Sequence, residues 1–354
     1  MATATELLDL APGVALRSEG ARFELRDSVG MILGAVTPRR VVSVENRADG
    51  ALKRTLTNFV LTPDVEADVN PLTDRVWAYW KLSTGDEYPL GKFLFASWSA
   101  TRTSYGLTAS TRLLDQGVIL GQSTAYSFGV SRGTLIRDAL AAVFDAAGIH
   151  TYSIDASNTA VADSPLAWPA GKSTTYASIA STLCSLAGTT DWYFDNDGLL
   201  TVAAQPNLTL ASTLVYDSGG RIIAGSAVEQ NDLLNSPNRY VAVDSANRDA
   251  PVVGVYTLPA DAPHSISNRG FAITRTVEAP GVGTTARAEA FAAAYAQNDP
   301  DAYETVTFSS PPDPRHDTYD VVEYLGTNYQ ETGWRLACAP GGPHEHTLRR
   351  AVYV

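Results

Sequence analysis

Polar and apolar positions along the chain follow two periods, and the switches between them divide it in three. Up to about Asp115 the period is two: Arg22 to Arg26 alternates, Val41 to Val44 is β-branched, and Leu90 to Trp98 and Tyr105 to Leu113 read as strands broken by Gly or Ser. Pro38, Pro63, Pro71 and Pro89 fall at strand starts or loops, where a missing N–H is tolerated. The strongest pattern lies between Asn70 and Phe93. There Val76, Ala78 and Trp80 alternate against Trp77, Tyr79 and Lys81, Gly85-Asp86 supplies a reversal, and Leu90, Phe93 and Phe95 resume extended structure. This hairpin carries large rings on both faces. One core covers one face, so the other implies a second sheet or a neighbouring subunit, with Trp77, Tyr79, Trp80 and Tyr88 as candidate interface residues.

From Thr134 the period becomes helical. Ile136, Leu140, Val143, Phe144 and Ala147 recur on one face, with Thr134 as N-cap and Gly148 just past the end. Tyr176, Ile179, Ala180, Leu183 and Ala187 repeat the pattern as far as Gly188. Setting Gly148 on Gly188, an offset of 40, brings Tyr152 to Trp192, Ile154 to Phe194 and Asp155 to Asp195. That is either a duplicated helix-Gly-strand unit or a coincidence. Strands return at Ile222-Ile223, Arg239 to Val243 and Val252 to Thr257, and an Ala-rich amphipathic helix covers Ala286 to Gln297. Thr305 to Phe308, Asp320 to Leu325, Gly333 to Cys338 and Leu348 to Val354 complete the strands, the last tying the terminus into a sheet. The expected fold is β-rich α+β: two barrel-like antiparallel β domains, residues 1–120 and 207–354, flank a small α/β insert at 121–206. The two barrels should have related topology and pack side by side, the second bearing one helix near 285–297.

At 354 residues the chain is long enough for two or three cores, since single cores stop growing near ~250–300 residues. Its 26 basic against 38 acidic residues leave a net charge of −12, which argues against wrapping a nucleic-acid backbone. Met1 to Ala15 has no basic leader and carries Glu6 and Asp9, so no signal peptide is expected, and no run of ~18 apolar residues suggests a membrane helix. Synthesis in a cytoplasm follows as an expectation, with Cys184 and Cys338 as buried, reduced thiols.

Chemistry-bearing motifs resolve into structural ones. Gly171-Lys172-Ser173 resembles a phosphate loop, but Leu166 stands where the leading Gly is needed and Pro169 removes a donor; a turn capping a helix from about Thr175 fits better. Asp191, Asp195 and Asp197 crowd together, yet Asn196-Asp197-Gly198 between Phe194 and Leu199 is hairpin-turn chemistry and lacks the rest of a calcium loop. His344-Glu345-His346 could set two imidazoles on one strand face; two ligands make no structural zinc site, and an exposed loop-to-strand junction is expected. His316-Asp317 lies in a Pro-rich turn, and His150 and His264 stand alone. No nucleophile with its base can be named, and no catalytic residue, metal ligand or cofactor site is nominated. The 16 Tyr and 6 Trp against 10 Phe tilt the reading toward protein contact, because Tyr and Trp join an apolar body to a polar tip.

Three stretches, in order, resemble the tail hub (baseplate hub) proteins of tailed bacteriophages, especially siphophages of actinobacteria. They are Asp74 to Phe95, followed by Leu113-Leu114-Asp115; the α/β segment Arg132 to Val202 with Asp195-Asn196-Asp197-Gly198; and Ser236 to Val243, continuing through the helix at Ala286 to Tyr295, to Ser309–Val322. Tyr319 stands where the family commonly has Gly before Asp320-Val321-Val322, so the turn there should be built differently. The resemblance implies a non-enzymatic virion component. Three copies would form a pseudo-sixfold ring joining a hexameric tail tube to a threefold tip, with a tail tube or distal tail protein above, a tape measure protein inside, and tip, spike or fibre proteins below. DNA would transit without specific binding, past an acidic or neutral lumen. The competing readings are a distal, receptor-facing protein that binds cell-wall glycan through Tyr and Trp, and an envelope hydrolase using the acids near Asp191.

Overall fold

The structure is a computed structural model and describes residues 18–351, apart from 39, 49–52, 62–68, 83, 104–105, 156, 159, 163–164, 218, 220, 232–235, 246–250, 280 and 300–302. Tyr105 and the end of the last expected strand, 352–354, lie outside the described residues. The alternation read between Arg75 and Leu82 is realised one residue at a time: Val76, Ala78, Trp80 and Leu82 are buried, and the residues between them half-buried. Gly85 closes the hairpin at φ 90°, its N–H donating to the Leu82 carbonyl.

Seven strands make the N-terminal half: β1 (Ser18–Arg26), β2 (Ile32–Val36), β3 (Ser43–Arg47), β4 (Arg54–Val60), β5 (Arg75–Leu82), β6 (Glu87–Thr103) and β7 (Gly106–Leu114). They pair antiparallel in the order β2-β1-β5-β6-β7-β4-β3. Phe23 of β1 meets Phe59 of β4 edge to face at 5.5 Å, although three strands separate them in the sheet. The sheet therefore curls around one core, in which Trp80, Phe93, Leu56 and Leu113 are fully buried.

The insert holds β8 (Ser123–Thr124), β9 (Phe128–Val130), helix α1 (Ile136–Ala146), β10 (Tyr152–Ile154), β11 (Leu166–Trp168), β12 (Gly171–Thr175), α2 (Tyr176–Ala187), β13 (Tyr193–Phe194) and β14 (Leu200–Val202). Its core gathers Leu140, Phe144, Ile179, Leu183, Trp192 and Leu200. Both helices end alike, with Gly148 and Gly188 at φ 84° and 70°, and with Ile149 and Thr189 donating back to the Phe144 and Cys184 carbonyls. The strands that follow, β10 and β13, flank β14. Two details differ from expectation. Leu135, not Thr134, caps α1, because the Thr134 carbonyl accepts the Ala162 N–H. Gly171 to Thr175 forms strand β12, whose last residue caps α2 in a reciprocal box with Ser178.

The remainder comprises β15 (Leu214–Tyr216), β16 (Val228–Asn231), β17 (Arg239–Asp244), β18 (Val252–Thr257), β19 (Thr274–Glu278), α3 (Thr285–Asn298), β20 (Tyr303–Ser310), β21 (Val321–Tyr324), β22 (Thr327–Ala337) and β23 (His344–Ala351). Six of these form a second curled sheet, β16-β20-β23-β22-β21-β15, across which Tyr216 and Phe308 approach to 5.0 Å. Ile222 and Ile223, expected as strand, make a turn in which the Ile223 N–H donates to the Ser309 carbonyl. Helix α3 does not lie on this barrel. It covers a separate sheet, β18-β17-β19, with Ala288, Ala292 and Ala296 packed on Tyr240 and Ala242.

Long strand β22 ties the two barrels together. It pairs with β23 along both halves, and its other edge meets β21 in the first half and β3 in the second, so one 13-stranded sheet runs through both. A bulge between Glu331 and Gly333 separates the halves, leaving Thr332 as the extra residue.

Candidate functional site: sheet edges and a buried junction

Three edges of the large sheet are open among the described residues: β2 pairs only with β1, β16 only with β20, and β15 only with β21. Next to β2 the chain turns through Asp27, whose carboxylate accepts the Val29 and Met31 N–H groups. Val29, at 84% exposure, Met31, at 65%, and the β2 residues Ile32 and Leu33 form an apolar patch in the water. An apolar, unpaired edge strand is a template for another strand. The sequence reading passed over this segment because its apolar run has no alternation to mark one face.

The four ring residues proposed as interface separate. Trp80 is fully buried in the N-terminal barrel, so it is a core residue and has no surface to offer a partner. Its alternation with Val76 and Ala78 was the available signal. Trp77 and Tyr79 lie on the outer face under cations: Arg26 stands 3.8 Å and Lys92 4.2 Å from the Trp77 ring centre, and Arg22 4.9 Å from that of Tyr79. Glu24 and Glu87 bind these arginines in turn. Tyr88 lines a cleft of about 560 Å³ shared with Asn196, Arg315, Asp317 and Asp320.

Below that cleft the barrels and the insert are joined by buried charge. Arg54 on β4, 1% exposed, donates to the Asp317 carboxylate and to Asn196 Oδ1, both at 2.7 Å. Asn196 closes the triangle, its N–H donating to Asp317 and its side-chain amide to the His316 carbonyl. The preceding residue, Lys53, is 3% exposed and donates to Asp191 at 2.8 Å and to the Ala48 carbonyl. Asp191 is thus held by a cation. Asp195 accepts the Leu199 N–H as the turn residue expected, and Asp197 is exposed.

Asp115 is the buried carboxyl of this junction, accepting the N–H groups of Arg54 and Gly117. Burial raises it out of the usual carboxylate range to about 6, against the lowering effect of Arg54 and the two N–H donors. A folded-state value above the unfolded one means that the native state binds this proton more tightly. The stabilisation is therefore complete below about pH 4 and is lost as pH rises through about 6, by roughly 3 kcal/mol. We expect the stability difference between wild type and Asp115→Asn, from urea titrations at a series of pH values, to shrink by that amount over this window. A flat difference curve would refute it.

The histidines hold the largest departure from expectation. His344 and His346 are not at an exposed junction; both are buried on β23, where they meet His316. His316 and His346 share the buried Glu331 carboxylate, at 2.5 and 2.7 Å from their Nδ1 atoms. Burial would lower the His316 ring, but the Glu331 charge and hydrogen bond outweigh it and raise its pKa. Burial lowers His344 and His346. His150 lies exposed beside Asp145, and His264 is buried. Cys184 and Cys338 are free thiols that burial pushes up, and Cys338 is only half-buried. Among the described residues no helix is long and apolar enough to cross a membrane.

No protein-family model matches the chain, and no curated protein does. Its fold recurs in solved structures. The 43 kDa tail protein of prophage MuSo2 from Shewanella oneidensis aligns with a TM-score of 0.62 at 13% identity over 94% of this chain and 99% of that one. The tail protein from Neisseria meningitidis MC58 gives 0.60 at 14% over 94% and 98%, and the prophage tail protein gp18 from Listeria monocytogenes EGD-e gives 0.60 at 12% over 93% and 94%. At these identities the common property is architecture, and it extends over almost the whole of each molecule. The chain has the fold of phage tail proteins, the class to which its sequence motifs point.

Proposed function

We propose that this protein is the structural hub of a phage tail tip, and that three copies close into a pseudo-sixfold ring between the tail tube and the threefold tip. The observation that supports this best is the single sheet built of two curled halves, with β2 an open edge of the first and β16 an open edge of the second. Six barrel-like units from three chains would give six quasi-equivalent contacts, and β2 of one copy joining β16 of the next would cover both of those edges. The apolar Val29–Leu33 segment would then lie in the contact. A tail tube or distal tail protein would sit above the ring, the tape measure protein inside, and tip, spike or fibre proteins below. Its place would be the virion tail tip, assembled in the host cytoplasm. The role is structural and not catalytic: the acids near Asp191 are engaged with Lys53 and with a turn. The net charge of −12 suits a channel that lets DNA pass without holding it.

Native mass spectrometry tests the ring. We expect trimers, and expect Val29→Asp combined with Leu33→Asp to give monomers whose folding stability moves by no more than about 0.5 kcal/mol, as for surface positions. A wild-type chain that stays monomeric in the presence of its tail-tube neighbour would overturn the proposal.

A further inference from the structure

Three of the five histidines converge in the C-terminal barrel, from segments that sequence spacing does not relate. His344 and His346 are two apart on β23 and so share a face, while His316 comes from the loop between β20 and β21. One ring nitrogen from each lies within 4.8 Å of the other two, and the ring centres are 4.1 to 4.9 Å apart. His344 is the telling member. It is fully buried, and neither Nδ1 nor Nε2 has a hydrogen-bond partner. Burying an imidazole with both nitrogens unmet is costly, and an apolar side chain would fill the place better.

We propose that His316, His344 and His346 bind one divalent transition-metal ion, zinc by preference, with Glu331 orienting the rings from behind. Imidazole nitrogens suit zinc, and three of them leave a fourth position for water or a neighbouring oxygen. Glu331 has the geometry of a supporting carboxylate. Its two oxygens receive the Nδ1–H groups of His316 and His346, which fixes both tautomers and turns both Nε2 atoms to the other side. There the hydroxyls of Tyr216, at 2.6 Å, and Ser310, at 2.9 Å, now meet them, and binding exchanges these hydrogen bonds for metal bonds. Asp320 has an oxygen within the same 4.8 Å reach of His316 and Glu331, and it also lines the cleft beside Tyr88 and Arg315. It marks the way in. A plain hydrogen-bonded core accounts for His316 and His346 but leaves His344 without a reason.

The experiment uses the untagged full chain, stripped with a chelator and titrated with zinc chloride by calorimetry, with metal per chain measured by mass spectrometry. We expect one zinc per chain and a higher thermal midpoint for the loaded protein. His344→Leu should abolish binding while leaving the midpoint of the metal-free protein unchanged or higher, because it removes two unmet nitrogens. Glu331→Gln should weaken affinity by about 10- to 100-fold, the effect of a lost supporting carboxylate. The proposal is overturned if wild type shows no saturable zinc binding, or if His344→Leu binds as tightly as wild type. Should the variants fail to fold, cobalt added to stripped wild type decides the matter: the visible spectrum of a nitrogen-bound tetrahedral ion supports the site, and a spectrum of hydrated cobalt refutes it.

Discussion

Replacing Arg54 with Ala is expected to lower folding stability by about 2–4 kcal/mol. Arg54 is the only side chain in the described junction that contacts the N-terminal barrel, the insert turn and the C-terminal barrel together, through Leu90, Asn196 and Asp317. Its removal leaves Asp317 and Asn196 facing a cavity beside Trp334, over which the guanidinium lies at 5.4 Å. Breaking a fully buried ion pair costs more, about 3–5 kcal/mol, but Asp317 keeps 25% of its side-chain exposure and can recover some hydration. Arg54→Lys should restore less than half of the loss, since an ammonium cannot span both acceptors as the planar fork does. Urea denaturation of the three proteins decides it; a loss below about 1 kcal/mol for the Ala variant would show that the junction holds no strain-bearing role.

The second large effect is at Gly254 in β18. A Cβ there would stand 2.2 Å from the Glu289 backbone nitrogen and 2.3 Å from the Ala288 carbonyl carbon, both in the backbone of α3. Helix and strand approach this closely because the facing helix positions are Ala288 and Ala292, buried with no side chain beyond Cβ. No rotamer change can relieve a clash with helix backbone. Gly254→Ala must push α3 off its sheet, and we expect about 3 kcal/mol or more of destabilisation, at the upper end for overpacking. The readout is local: amide exchange in α3 and β17 should accelerate while the barrels keep their protection. Unchanged exchange in α3 would contradict the close-packing account.

Strand alternation at Arg75 to Leu82 and the helical repeats ending at Gly148 and Gly188 were legible because each element buries one face, and a buried face writes its period into the sequence. The paired edges β22 and β3 were not legible, since about 290 residues separate them and pairing across such a distance leaves no local trace. The same limit hid the junction. Lys53-Arg54 looks like an exposed basic pair until Asp191 and Asp317 arrive from elsewhere in the chain. His344 and His346 showed the right spacing for one strand face, but the face they share is inward, and the third ring comes from a Pro-rich loop. Trp80 was misassigned by chemistry and correctly placed by pattern: ring type suggested a partner, whereas parity with Val76 and Ala78 put it inside.

Parity also gives the bulge at Thr332 its meaning. Before it, Tyr329 and Glu331 point into the C-terminal barrel; after it, Trp334 and Leu336 point into the N-terminal one. In an unbroken strand odd and even residues face opposite ways, yet Glu331, Trp334 and Leu336 sit across from Leu348, His346 and His344 on one face of β23, which an unbroken strand could not match. The single extra residue resets the count. Adding or deleting one residue near Thr332 would leave β22 in phase with one barrel and turn its side chains out of the other, so the match between the two halves is stored as an integer, not as an angle that the contacts could relax.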